Sequence, residues 1–290
     1  MHSFLKSVGF SKLTTVKQEK LLIDSILEKP QKKKMITNPA DSDTMYAELS
    51  NEYAPGVGVR IVGQIDEYEQ FRLEYYYPYY LGRYKSLEQE CYIGRKLDNV
   101  SYSGICEDER ISVSLIFHVI DTIECIKNDE PGTTDKKRKI NLSGLASEGV
   151  VLLPTVYTEE AREESTKYSK RAKIIAEARE GSPEALEKLA LEDIDTFTGI
   201  GSRIKDEDVL SIVETSFIPF GMETELYKVL GIIENVESVV NPVLGEKLYL
   251  IKLLCNDVVF DVCINSANLS GEPLPGRRFR GILWLQGKVN

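Results

Sequence analysis

Residues 57–62 read Val57-Gly58-Val59-Arg60-Ile61-Val62, and this stretch decides the class of fold. Its apolar residues recur at every second position, which is the period of a β-strand. Residues 71–76 repeat the pattern, with Phe71, Leu73 and Tyr75 on one side of the strand. Because this period persists from Tyr46 to about Tyr157, the sequence predicts a mainly antiparallel sheet in the first half of the chain.

One amphipathic helix precedes the predicted sheet. Residues 14–28 begin with a Thr that suits a helix cap, and they place Leu22, Ile23, Ile26 and Leu27 on one stripe. Pro30 stops the helix. We therefore expect a helix that packs on the sheet, within an α+β fold.

The period changes twice more along the chain. Residues 158–192 have helical spacing and predict a helical connector, whereas 193–290 contain a run of closely spaced strands. Asn256-Asp257 predicts a two-residue hairpin turn, because both residue types tolerate positive φ. The expected organisation is a mainly β domain with an N-terminal helix (1–157), the connector (158–192), and a small C-terminal β-barrel of OB or SH3-like type (193–290).

Composition limits the classes of protein. The 290 residues are 42% hydrophobic and 28% charged, which excludes wholesale disorder and an integral membrane protein. With 36 basic and 46 acidic residues the net charge is -10, so polyanions are repelled and nucleic-acid binding is disfavoured. Five widely spaced cysteines are typical of reduced thiols, and the start lacks an export signal, so we expect a cytoplasmic protein without membrane attachment.

The usual catalytic motifs are missing from the sequence. It contains no Walker loop, nucleophile elbow or complete dinucleotide fingerprint, and its only histidines are His2 and His118. We expect His2 to lie at a mobile terminus and His118 to be a hydrogen-bonded residue of the core. The sequence thus predicts no metal and no cofactor, and it leans against an enzyme without excluding one.

Two carboxylates keep the enzyme hypothesis open. Asp193 and Asp195 lie beside glycines at the predicted domain junction, where they could act as general acid and base. The simpler reading of these residues is a polar helix end and a turn, and it is favoured.

The C-terminal stretch carries the strongest binding signal. A Pro/Gly-rich loop leads into a strand that contains Arg277, Arg278, Arg280 and the only tryptophan, Trp284. Strand alternation places Arg278 and Arg280 on one face and Phe279 on the other. The alternative is structural: Trp284 fills the barrel and Arg280 pairs with an acidic residue.

The second half of the chain also resembles a known family. The motifs that carry the resemblance are Leu191-Glu192-Asp193-Ile194-Asp195-Thr196 with Asp206-Glu207-Asp208-Val209, Ile218-Pro219-Phe220-Gly221, Gly271-Glu272-Pro273, Gly276-Arg277-Arg278-Phe279-Arg280-Gly281 and Trp284-Leu285-Gln286-Gly287. They resemble conserved hypothetical proteins of anaerobic Gram-positive bacteria, a domain of unknown function. The resemblance implies a bacterial, cytoplasmic setting and no catalytic residues.

The leading hypothesis is a non-catalytic binding or regulatory module that uses the barrel edge to bind an acidic protein partner or an anionic ligand. The first alternative is an enzyme that uses carboxylate chemistry at the domain junction. The second is nucleic-acid binding through the barrel. Nothing in the sequence specifies an oligomeric state.

Overall fold

The protein is seen in a computed structural model, which describes residues 2–38, 41–84, 86–96, 101–108, 110–111, 114–127, 137–154, 215–221 and 224–289. Strands dominate these residues, and helices are few. The α+β class with a sheet-rich character is therefore confirmed. The predicted helical connector, 158–192, lies outside the described residues.

The first sheet is a four-stranded antiparallel meander in the order β1-β2-β3-β4. Its strands are β1 (Lys32–Asn38), β2 (Asp41–Ala54), β3 (Val57–Ile65) and β4 (Phe71–Tyr80). The chain turns from β2 into β3 at Gly56, where φ is 73°, a value that favours glycine. Strand β3 is buried on both faces from Val57 to Gly63. Arg60 is therefore a charged residue inside a strand that is covered on both sides.

The second sheet contains ten strands among the described residues. These are β5 (Leu87–Arg95), β6 (Tyr102–Cys106), β7 (Leu115–Ile120), β8 (Lys137–Leu152), β9 (Ser216–Pro219), β10 (Leu226–Asn241), β11 (Glu246–Cys255), β12 (Val258–Asn265), β13 (Leu269–Ser270) and β14 (Arg278–Val289). A short helix, α2 (Thr122–Lys127), follows β7. The predicted hairpin turn is confirmed between β11 and β12, where Asn256 and Asp257 have φ values of 49° and 59°.

Strands β8 and β14 are the centre of this second sheet. They pair antiparallel over almost their full lengths, from Arg278 opposite Leu152 to Val289 opposite Ile140. Strand β14 also pairs with β10, β10 with β11, β11 with β12, and β12 with β8, so these five strands form a closed circuit. A second circuit runs through β8, β5, β6, β7 and back to β14. The two circuits share the β8–β14 pair.

This pairing bears on the predicted C-terminal barrel. The strands β10, β11, β12 and β14 belong to 193–290, but their circuit closes only through β8, which belongs to 1–157. A small barrel of OB or SH3 type is therefore not confirmed. The three-part division of the chain stays a prediction, and the shared strand gives a direct way to test it.

The N-terminal segment is built into the structure. Helix α1 (Val16–Glu28) has Thr15 as its N-cap, one residue after the predicted start at Thr14, and the side chains of Thr15 and Gln18 form a reciprocal capping box. Before it, a 3-10 helix at Ser3–Val8 buries Phe4, Leu5 and Val8. Ser7 Oγ donates to the carbonyl oxygen of Ala146 at 2.7 Å, which fixes this helix on β8.

The core is continuous across both sheets, because one cluster of buried residues includes members of each. Gln286 of β14 joins them through the backbone of β4: its Oε1 accepts from the amide of Tyr80 at 3.1 Å and its Nε2 donates to the carbonyl of Pro78 at 2.9 Å. Within the described residues, no helix is both long and apolar enough to cross a membrane.

Candidate functional site

Two of the predicted site arginines make structural contacts. Arg278 is buried, and its Nε donates to the carbonyl oxygen of Leu153 at 3.0 Å. Arg277 Nη1 donates to the carbonyl oxygen of Glu272 at 2.8 Å and so holds the loop that precedes β14. Their charges thus serve the loop and the strand end.

Arg280 differs from these two arginines. It is half-buried, and among the described residues its side chain has no hydrogen bond or ion pair. Phe279 next to it is fully buried, as alternation predicted, and the same alternation puts Arg280 on the opposite face of the strand. Of the three arginines, Arg280 is the one whose charge is available.

The face around Arg280 combines basic and apolar side chains. Arg280 lies between Val150 of β8 and Leu230 of β10, and Ile282, two residues on, is opposite Lys228. Lys228 is exposed and, among the described residues, also has no ion pair. Exposed apolar neighbours are Val150, 38% exposed, and Ile218 of β9, 54% exposed and opposite Lys228. We call Val150, Ile218, Lys228, Arg280 and Ile282 the β14 face.

Trp284 lies in a buried group of rings. It is 7% exposed, and its ring centroid is 4.9 Å from that of His118 and 4.9 Å from that of His2. Tyr77 of β4 packs edge-on against His118 at 4.6 Å. We call His2, Tyr77, His118 and Trp284 the ring cluster, which brings together both histidines and the only tryptophan of the chain.

A buried carboxylate fixes the indole of Trp284. The indole Nε1 donates to Glu225 Oε2 at 2.9 Å, and Glu225 Oε1 accepts from Ser103 Oγ at 2.8 Å. Lys96 Nζ is 2.5 Å from the same Oε1. Glu225 therefore has a partner on each oxygen and a compensating positive charge, as a buried carboxylate requires.

The two histidines depart from the expectations drawn from sequence. His2 is not at a mobile terminus: its backbone amide donates to Tyr76 Oη at 2.9 Å, and its Nδ1 accepts from the amide of Phe4 at 3.4 Å. His118 is a core residue, 3% exposed, but neither ring nitrogen has a hydrogen-bond partner among the described residues. The predicted core position of His118 is confirmed, whereas a protein partner for its ring nitrogens is not found among the described residues.

Burial also controls the charge of both imidazoles. It lowers the pKa of His2 from 6.5 to about 4. It lowers the pKa of His118 well below 6.5, and the positive charges of Lys96 and Arg60 act in the same direction. Both rings are consequently neutral at pH 7.

A buried charged cluster adjoins the ring cluster. Arg60 Nη1 is 3.0 Å from Glu48 Oε1 and 2.7 Å from Asp121 Oδ1, and Lys34 Nζ is 3.1 Å from the same Asp121 oxygen. The Arg60 guanidinium also lies over the ring of Tyr79, 4.8 Å from its centroid. These contacts join the first three strands to the turn between β7 and α2. We call Lys34, Glu48, Arg60 and Asp121 the charged cluster.

The carboxylates of the charged cluster shift in opposite directions. Burial raises the pKa of Glu48, and Arg60 only partly offsets this. Burial alone would raise the pKa of Asp121 as well, but Arg60 and Lys34 together lower it below 3.8. Asp121 also has φ of 79°, which costs a non-glycine residue about 1–3 kcal/mol. The ion pairs hold Asp121 in this conformation.

The chemistry available in these clusters is hydrogen bonding and charge pairing. Among the described residues, no three His, Cys, Asp or Glu side chains are grouped so that they could hold a metal ion. The junction carboxylates Asp193 and Asp195 lie outside the described residues. The five cysteines are free thiols, and Cys91 is opposite Cys106 on β5 and β6.

Sequence reasoning missed the charged cluster and Glu225. Arg60 could have been found, because a charged residue in an apolar strand with both faces covered must have a buried partner. Its partners could not, since Glu48 and Asp121 come from another strand and from a distant turn. Glu225 carries no local signal.

Comparison with known families agrees with the sequence motifs. The model of a family described as "Domain of unknown function, E. rectale Gene description (DUF3881)" matches residues 5–287. The chain belongs to this family of uncharacterised domains. The family is named for an anaerobic Gram-positive gut bacterium, so the resemblance drawn from the C-terminal motifs is confirmed. No curated protein matches the chain. No solved structure matches it either.

Proposed function

We propose that the protein is a non-catalytic binding module of the cytoplasm that docks an acidic protein segment on the β14 face. The observation that carries the proposal is the pair of basic side chains, Arg280 and Lys228, on adjacent strands. Neither has an ion pair among the described residues, whereas Arg60, Arg83, Arg110 and Arg277 all have one. The free thiols support a reducing cytoplasmic setting.

Register places the two positive charges close together. Lys228 is opposite Ile282, and Arg280 is two residues from Ile282, so the two basic residues are diagonal neighbours on one face. Diagonal side chains in a sheet lie about 7–8 Å apart, which lets two basic groups contact one acidic segment. Glu148 is an exposed acidic residue on the same side of the sheet, opposite Ile282 and diagonal to Arg280, but it makes no ion pair with Arg280.

The apolar part of the face favours a protein segment over a small anion. Ile218 and Val150 border the basic pair and are substantially exposed. An inorganic anion would leave these side chains in water, whereas a peptide with acidic and apolar residues would cover them. A nucleic acid is disfavoured because the net charge of -10 repels a polyanion away from this face.

Trp284 has a supporting role in this proposal. It is on the same strand as Arg280, but the ring cluster buries it and Glu225 holds its indole. A partner on the β14 face would not touch Trp284. The residue instead fixes the strand that presents Arg280.

The experiment compares two double variants that remove the same charge. Arg280→Ala with Lys228→Ala removes the proposed site, and Lys17→Ala with Lys20→Ala removes two exposed positive charges from α1. Binding of a fluorescent peptide rich in Glu and Leu is measured by anisotropy at several salt concentrations. We expect the first variant to bind roughly tenfold more weakly, because exposed charge pairs contribute up to about 1 kcal/mol each.

The control variant should bind like the wild type. Equal weakening of the two variants would mean that the peptide responds to net charge alone, and the β14 face would not be the site. Melting temperatures are measured in parallel, because a large loss of stability in the first variant would also contradict an exposed binding role for Arg280 and Lys228.

A further inference from the structure

The strongest unexplained feature is the imidazole of His118. It is buried against Tyr77 and Trp284, and neither ring nitrogen has a hydrogen-bond partner among the described residues. The large majority of buried side-chain polar atoms in proteins have a hydrogen-bond partner, either in the protein or in ordered water. A neutral imidazole offers one donor and one acceptor, and leaving both unmet opposes folding.

We infer that the interior between the two sheets contains a water-binding site, and that an ordered water molecule hydrogen-bonds to His118. The ligand must be small, because the ring centroids of Tyr77 and Trp284 lie only 4.6 and 4.9 Å from that of the imidazole and both imidazole nitrogens are buried.

The ligand must also be uncharged. Lys96 is paired with Glu225, the carboxylate that accepts from the indole, and Arg60 is paired with Glu48 and Asp121. No charge in this set is left to compensate a buried anion or cation, which would carry a heavy desolvation cost. Water meets both requirements and matches the donor and the acceptor of the imidazole.

The charged cluster, which adjoins the ring cluster, likewise contains buried polar atoms without a hydrogen-bond partner among the described residues. Arg60 Nε and Glu48 Oε2 are buried without a hydrogen-bond partner among the described residues, although Arg60 Nη1 and Glu48 Oε1 are paired with each other. Here one atom is a donor and the other an acceptor, so a bridging water satisfies both. Tyr77, opposite Arg60 on β4 and in contact with His118, connects the two places. Together they form a hydrated layer between the sheets.

The test is solution NMR of the full chain labelled in histidine, in which His2 and His118 are the only labelled residues. We expect rotating-frame Overhauser cross-peaks between water and the carbon-bound ring protons of His118, with the sign of a long-lived bound water. His118→Phe assigns and removes these peaks. If that variant does not fold, His2→Phe leaves His118 as the one labelled residue and gives the assignment.

Absence of a water cross-peak to the His118 ring would overturn the inference. Thermal melting gives a second, independent result. If no water is bound, His118→Phe should raise the melting temperature by at least about 2 °C, because the variant no longer has two buried polar atoms without hydrogen bonds. A bound water predicts no such rise. Neither result depends on the β14 face, so this inference and the proposed function can fail separately.

Discussion

The burial of both histidines predicts a specific dependence of stability on pH. The unfolded chain takes up a proton at each imidazole near pH 6.5, whereas in the folded chain the pKa of His2 is about 4 and that of His118 is well below 6.5. At a pH between the folded and unfolded pKa values of a histidine, the unfolded state binds more protons than the folded state. The free energy of unfolding therefore falls as the pH is lowered below 6.5, and neither histidine affects it above about pH 7.5.

The magnitude follows from the size of the shift. Each histidine that is protonated only when unfolded contributes a slope of about 1.4 kcal/mol per pH unit, and two contribute about 2.7. For His2 alone, a fall in pKa from 6.5 to about 4 corresponds to a loss of about 3 kcal/mol at pH 4, where the folded imidazole is itself half protonated. Glu48 and Asp261, whose pKa values burial raises, act in the opposite direction.

A histidine-free variant separates these contributions. Replacing His2 and His118 with Gln removes all histidines, and urea unfolding followed by Trp284 fluorescence at several pH values between 4.5 and 7.5 gives the free energy of unfolding for both proteins. We expect the slope below pH 6.5 to be about 2.7 kcal/mol per pH unit steeper for the wild type, and each single variant to remove about half of the difference. Identical slopes would refute the argument, because both imidazoles would then titrate in the folded protein as they do in the unfolded chain, and half the expected difference would mean that one of them does.

Further predictions concern the roles assigned to the arginines and to β8. Arg278→Ala should lower the free energy of unfolding by about 1–3 kcal/mol, since the carbonyl of Leu153 loses a charged donor, whereas Arg280→Ala should change it by less than about 0.5 kcal/mol. Urea unfolding measures both variants, and similar losses would contradict the difference in the contacts of the two arginines. Arg60→Leu should lower the free energy of unfolding by about 3–5 kcal/mol, because Glu48 and Asp121 lose their shared partner. Adding Glu48→Leu should recover part of this stability, and no recovery would argue against the ion pair as the cause. Residues 193–290 expressed alone should lack a cooperative melting transition by circular dichroism, because β12 and β14 lose β8; a sharp transition would support the predicted three-part division.

Local patterns in the sequence predicted local structure well. The Thr cap before α1, the strand at 57–62 and the Asn256-Asp257 turn each depend on a few neighbouring residues, and each is found in the structure, although β3 is buried on both faces. The pairing of β8 could not be predicted in this way. Its partners β12 and β14 are more than a hundred residues away, and alternation does not specify which strands pair or in which register.

The candidate site shows the same limit. Strand alternation correctly separated Phe279 from the arginines on either side, but it could not distinguish buried Arg278 from Arg280, because the difference depends on contacts such as that with Leu153. Trp284 was recognised as unusual, yet its neighbours His2 and His118 come from distant parts of the chain. Those residues show no shared motif, since their proximity is a product of long-range packing.

The most direct test of the proposed function is reversal of the charge on the β14 face. The full-length variant Arg280→Glu with Lys228→Glu is titrated with the peptide rich in Glu and Leu, and with a matched peptide in which Lys replaces Glu. The proposal predicts that the variant binds the acidic peptide at least roughly tenfold more weakly, gains affinity for the basic peptide, and loses both differences at high salt. Unchanged binding of the acidic peptide by the variant would contradict the proposal that Arg280 and Lys228 form the docking site.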